Sequence, residues 1–124
     1  MEDHIRQGLR AAPAPRLHPV DTDTTVAPGV TAVLAPGHTP GHLCLVLASG
    51  GRTVWLVGDA ITCPIQLAEP TWHSFGDVEP DVAEHTRQYL WHELARPHTA
   101  GTGAHFPGLQ FGQVRGSQGW CRVT

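Results

Sequence analysis

Residues 35–42 read APGHTPGH. His38 and His42 flank Thr39-Pro40-Gly41; each histidine follows a glycine, and a proline precedes each glycine. Glycine lets the backbone turn sharply, so that the imidazole faces a cavity. Proline stiffens the loop and lowers the entropy lost when a side chain is fixed. The stretch is either a tight turn that carries imidazoles or part of a metal site, and its neighbours decide which.

Val30–Leu34 precedes it as a short strand candidate. His42–Ala48 follows as a second, with Leu43, Leu45 and Leu47 on one face and Cys44, Val46 and Ala48 on the other. Ser49-Gly50-Gly51-Arg52 predicts a hairpin turn, Thr53–Val57 returns as a third strand, and Gly58-Asp59 ends it. Apolar residues on both faces predict a sheet covered on both sides. Upstream, residues 2–12 predict a short helix with Ile5 and Leu9 on one face, broken by Pro13, Pro15 and Pro19. Residues 21–25, DTDTT, read as a polar loop and Pro28-Gly29 as a turn. The chain thus divides into an N-terminal connection over 1–25 and a domain over 26–124.

Downstream, residues 60–78 read as a long ordered loop. Glu79-Pro80-Asp81 opens a helix, because proline suits its first turn and acids favour its positive end. Val82, Thr86, Tyr89, Leu90 and Leu94 form its apolar side, and Pro97 ends it. His85 and His92 project away from that side and read as solvated; Trp91 also falls off it and is open to a contact. His98–Ala104 is a further strand candidate, followed by His105-Phe106-Pro107-Gly108. The tail, with Val114, Trp120 and Val123 among glycines, reads as a final hairpin.

Composition narrows the function classes. At 124 residues the chain suffices for one domain with one core. Net charge is −3 with no basic run, which excludes an electrostatic grip on nucleic acid. No apolar run is long enough to span a membrane, and the start, MEDHIRQG, has no apolar leader stretch. Three cysteines, none in a C-x-x-C pair, fit a reducing compartment, the cytoplasm. Fourteen glycines and eleven prolines imply many turns. Nine histidines are many, but abundance alone is not a site.

Three of these side chains follow strands: His38 the first, Asp59 the third, His105 the late one. If those strands run in one direction, the following loops share one edge of the sheet, where ligands gather. Two imidazoles and a carboxylate suit zinc or iron, and a carboxylate can bridge two ions. Each also has a plain reading. His38 is then a hydrogen-bonded loop residue, Asp59 a cap for a following helix, and His105-Phe106 a turn with the ring in the core.

The combination is more specific than its parts. APGHTPGH, a hairpin ending in Gly58-Asp59-Ala60, and a distant AHFPG resemble the C-terminal half of the metallo-β-lactamase-fold hydrolases. The stretch PIQLAEPTWHSFGDVEPDVAEHTR and the ending AHFPGLQFGQV are similar to the lactonase and methyl-parathion-hydrolase-like branch. The resemblance covers about residues 26–124. It implies an α+β fold of αββα type. This chain would supply half of that sandwich, one mainly antiparallel or mixed β-layer with helices on its outer face. It also implies two zinc ions, with His38 on the first, Asp59 bridging both as the catalytic carboxylate, and His105 on the second. His42 and Thr39 would support these ligands rather than bind metal. The implied reaction is attack by metal-bound hydroxide on a small ester, lactone, thioester or phosphotriester.

The match is incomplete. The family's N-terminal half carries an H-x-H-x-D-H motif, and these 124 residues contain none. By transfer each metal would hold two ligands from this chain, where catalytic zinc normally takes three. One β-layer also leaves an apolar face open, with Leu43, Leu45, Leu47, Val54, Trp55 and Leu56 as expected contributors. A complementary N-terminal half or a second copy, forming a homodimer, would then be the partner. The alternatives are a catalytically inactive remnant or interaction module that keeps the fold, and, ranked last, a lone mononuclear site of His38, Asp59 and His105. Trp72, Phe75 and Phe106 read as core in preference to a substrate pocket.

Overall fold

A computed structural model describes residues 17–123. The helix expected over 2–12 lies outside the described residues. Seven strands form one mixed sheet in sequence order: β1 (Thr24–Ala27), β2 (Val30–Leu34), β3 (Leu43–Ser49), β4 (Arg52–Leu56), β5 (Thr99–Thr102), β6 (Gly112–Val114) and β7 (Trp120–Arg122). Two helices lie in the connection between β4 and β5: α1 (Ile65–Ala68) and α2 (Pro80–Leu94). All neighbouring strands are antiparallel except β4 and β5. Parallel neighbours need a long crossover, and residues 57–98 supply it.

Two expectations about loops change. Thr24 and Thr25 belong to β1, paired with Ala32 and Thr31, so the sheet begins inside the expected polar loop and straddles the 25/26 boundary. β-branched threonines suit an edge strand that is exposed throughout. The expected loop over 60–78 contains α1, anchored by buried Gln66. The Gln66 Oε1 accepts from the Thr62 and Cys63 amides and the Thr62 hydroxyl, while its Nε2 donates to the Trp72 carbonyl.

The β3–β4 hairpin closes at the paired residues Ser49 and Arg52. Gly50 and Gly51 both take positive φ, 55° and 75°, the backbone that a two-residue turn of matching twist requires. Leu45 pairs with Leu56 and Leu47 with Val54, so these four share one face. Val46 and Trp55 pair on the other. There Cys44, Trp55, Val57, Ile61, Leu90, Leu94, Phe106 and Val114 form the core, and Tyr89 meets Trp55 edge-on. Burying a residue such as Leu90 stabilises the fold by roughly 1.5–3 kcal/mol. Trp91 packs against the rim of this core, while His85 and His92 are exposed as expected.

The opposite face is only partly covered by the described residues: Ala32, beside Leu45, is buried, but the larger side chains stay open. Leu34, Leu45 and Leu47 remain 36–38% exposed. The expected cover on both sides is therefore present on one. Trp55 does not contribute to the open face, because its register partner Val46 puts it toward α2, where it is 4% exposed. Among the described residues no helix is long and apolar enough to cross a membrane.

Candidate metal centre

Strand direction decides the site. β2 and β4 are each antiparallel to β3, hence parallel to one another, and β5 is parallel to β4. The loops after β2, β4 and β5 therefore leave the same edge of the sheet. They carry His38, Asp59 and His105. His105 Nε2 lies 3.1 Å from Asp59 Oδ1, and His38 Nε2 lies 3.9 Å from Asp59 Oδ2. One carboxylate thus stands between two imidazoles, one oxygen toward each. His38 is largely enclosed, Asp59 partly open, and the His105 side chain is 66% exposed.

Each loop is fixed by its backbone. In the first, the Ala35 amide donates to the His42 carbonyl, and the Thr39 carbonyl accepts from the Gly37 and His42 amides. Thr39 acts through that carbonyl and its residue is otherwise exposed. The loop is tied to the start of α2 through the Val78 amide on the His38 carbonyl and the Glu79 amide on the Gly37 carbonyl. Gly58 adopts φ 57°, and a Cβ there would stand 2.8 Å from His42 Nε2. That close approach lets the Asp59 amide donate to His42 Nε2 at 3.0 Å. The Ala104 amide on the Gly58 carbonyl then joins the Asp59 and His105 loops.

His42 therefore holds the backbone of Asp59. Burial holds its pKa below the ordinary imidazole value, against the Asp59 carboxylate, which raises it, and with the help of His38. Because Nε2 accepts from the Asp59 amide, it carries no proton, and the ring proton sits on Nδ1, a buried atom without a partner.

Sequence reasoning missed two residues. Asp77 Oδ1 lies 3.2 Å from His38 Nδ1, and Arg87 Nη1 lies 3.2 Å from Asp77 Oδ2. Both the Asp77 and Arg87 side chains are 1% exposed. Burial works to raise the Asp77 pKa, but the Ser74 amide, His38 and Arg87 outweigh it and hold the carboxyl below its ordinary value. Arg87 was legible in principle: it lies four residues after Ala83 and three before Leu90, a charge on the buried stripe of α2. Trp72 and Phe75, expected in the core, are exposed, because they sit on the outer turns of the loop between α1 and α2. Phe106 is buried against Trp120.

The chemistry of these groups suits a metal. Asp59 Oδ1 is shielded from solvent and makes no hydrogen bond, despite the nearby imidazole. An acceptor left this way in a ring of imidazoles is what a cation satisfies. Among the described residues, however, no three His, Cys, Asp or Glu side chains are arranged to hold one ion. The donors meet pairwise about Asp59 rather than around a common point. The cleft between α1 and α2, about 310 Å³, is lined by Leu67, Ala68, Pro70, Gln88, Trp91 and His92 and includes none of these groups.

No protein-family model matches the chain, and no curated protein sequence matches it. Solved structures do. The dizinc quorum-quenching lactonase AidC is 29% identical, with a TM-score of 0.80 over 98% of this chain and 42% of its own. The hydrolase AbOPH of the β-lactamase superfamily is 23% identical, with a TM-score of 0.71 over 79% of this chain and 35% of its own. A probable metal-dependent hydrolase from Staphylococcus aureus is 14% identical, with a TM-score of 0.75 over 89% of this chain and 40% of its own. The chain carries the fold of the metallo-β-lactamase-superfamily hydrolases and spans 35–42% of the length of those it matches here.

Proposed function

We propose that this chain supplies part of the centre of a two-metal hydrolase. His38 and Asp59 contribute to one zinc site, and Asp59 and His105 to the other. The observation that carries the reading is the Asp59 carboxylate between two imidazoles, one oxygen facing each. A bound divalent ion would supply Lewis acidity, lowering the pKa of water and polarising a carbonyl or phosphoryl oxygen. The chain's own part is positional. His42 fixes the Asp59 backbone, and the tie from the Ala104 amide to the Gly58 carbonyl keeps the His105 loop beside the Asp59 loop.

Two donors per ion hold metal weakly. The centre therefore needs further ligands, and the open leucine face gives them a platform. A polypeptide with an H-x-H-x-D-H motif, or a second copy of this chain, would cover that face. The unit that docks begins with the sheet at β1, so it takes in Thr24 and Thr25 together with residues 26–124. Free Cys44, Cys63 and Cys121 support a reducing, cytoplasmic setting. Lactones are the substrates to assay first, because the matched lactonase aligns with 98% of this chain; other esters, thioesters and phosphotriesters follow.

The test is metal content of the purified chain by mass spectrometry, for zinc, iron and manganese. Uptake that is lost in His38→Ala and in His105→Ala supports the reading, as does lactonase activity on adding the complementary polypeptide. No uptake, with or without that polypeptide, refutes it. A second reading, a non-catalytic remnant or interaction module, draws on the lack of a three-donor set among the described residues. It requires binding of the complementary polypeptide without activity.

A further inference from the structure

Asp77 receives three groups on its two oxygens. The Ser74 amide donates to Oδ2 at 3.0 Å and Arg87 Nη1 to the same oxygen at 3.2 Å. Oδ1 faces His38 Nδ1 at 3.2 Å. Arg87 cannot swing away freely, because its Nε and Nη2 both donate to the Pro70 carbonyl, at 3.2 and 2.9 Å. With both side chains 1% exposed, water does not replace either partner. An ionised carboxylate only accepts, so the ring nitrogen facing it must carry a proton. In the neutral imidazole the other nitrogen, Nε2, then keeps its lone pair, and it is Nε2 that points toward Asp59.

We propose that Asp77, clamped by Arg87, is a positioning residue that fixes His38 as the Nδ1–H tautomer and presents its Nε2 lone pair to the Asp59 side of the site. The use of that lone pair for metal rests on the function proposed above. The tautomer does not, since it belongs to the metal-free chain.

The clamp makes a sharp prediction for Asp77→Asn. An amide has one acceptor oxygen. Ser74 and Arg87 are two fixed donors on the Oδ2 side and claim it. The amide NH2 is then turned toward His38 Nδ1, which must accept, and the ring proton moves to Nε2. Shape is conserved, yet the donor nitrogen is blocked.

The experiment is long-range proton–nitrogen NMR on the full metal-free chain at about pH 8, above the ordinary imidazole range. The His38 signals are assigned by their loss in His38→Gln. The parent should show a protonated Nδ1 and a bare Nε2, and Asp77→Asn should show the reverse. Zinc affinity, measured by competition with a chelating dye, should fall by about 10–100-fold in the variant. A merely structural Asp77 would leave the parent pattern in place. A parent His38 protonated on Nε2, or an unchanged pattern in folded Asp77→Asn, overturns the proposal. If that variant does not fold, the parent spectrum alone decides. The expected tautomers without any zinc uptake would support the positioning role and sink the metal reading instead.

Discussion

Arg87→Ala tests how much of the fold rests on the network behind His38. Arg87 is the one charged side chain on the buried stripe of α2, and its side chain and that of Asp77 are each 1% exposed. Removing one member of a buried pair leaves the other charge uncompensated, at a cost of about 3–5 kcal/mol. The Pro70 carbonyl also loses both of its Arg87 donors, a loss of roughly 1–3 kcal/mol where no water enters. These terms share one side chain and do not simply add, so about 4 kcal/mol is expected. A domain of this size has about 5–15 kcal/mol in total. Each kcal/mol moves the midpoint by roughly 4–8 °C, so thermal unfolding followed by circular dichroism should shift down by about 15 °C or more. Arg96→Ala is the control. Its pair with Glu93 spans the exposed end of α2, with Arg96 67% exposed, and should contribute no more than about 1 kcal/mol. Adding Asp77→Asn to an Arg87→Met background should recover part of the loss, because no bare buried charge remains. Equal midpoints for Arg87→Ala and Arg96→Ala would refute the reasoning.

The remaining predictions touch the sheet, the site and the thiols. Stability should fall in acid as Asp77 protonates. Its folded pKa is depressed, so its contribution is present above the unfolded value, about 3.9, and is lost as pH drops through the folded one; the Ser74 amide, the His38 ring and the Arg87 guanidinium are the groups facing it. This acid slope should shrink in Asp77→Asn, read from urea unfolding between about pH 5 and pH 3. Gly58→Ala should cost about 1–3 kcal/mol, since φ 57° and the His42 ring both oppose a side chain, and an unchanged urea midpoint would contradict the described turn. A thiol reagent should modify exposed Cys63 quickly in the native chain. Cys44, fully buried and pushed up to about 12 by that burial, should react only on unfolding; rapid native labelling of Cys44 would be inconsistent with this core. Leu45→Lys with Leu47→Lys should lower binding of a hydrophobic dye and leave the midpoint within about 1 kcal/mol, because both leucines are 38% exposed. A large loss of stability would mean that the face is covered within the chain.

By itself the sequence determined the local elements and the residue types at their ends. Alternation over Leu43–Ser49, the two glycines after it and the proline at the start of α2 are short-range signals, and each marks its element within a residue or two. His38, Asp59 and His105 could be picked out because each lies in the loop that follows a strand, within four residues of its end. What local signals could not decide is direction. His38 and Asp59 share an edge because two antiparallel steps through β3 restore the direction of β2. His105 joins them because the crossover makes β5 parallel to β4. Sidedness was hidden for a similar reason. Trp55 and Leu56 are equally apolar, and only the pairing with Val46 and Leu45 turns one to the core and leaves the other on the open face. The Asp77–Arg87 clamp escaped most completely. Asp77 reaches His38 across 39 residues of chain and is held in turn by Arg87, and nothing in the spacing foretells which buried charge will find which partner. Periodicity along a chain fixes which way neighbouring side chains point relative to one another, while contact between distant side chains depends on how the strands are ordered, and that is settled only when the sheet and its helices pack.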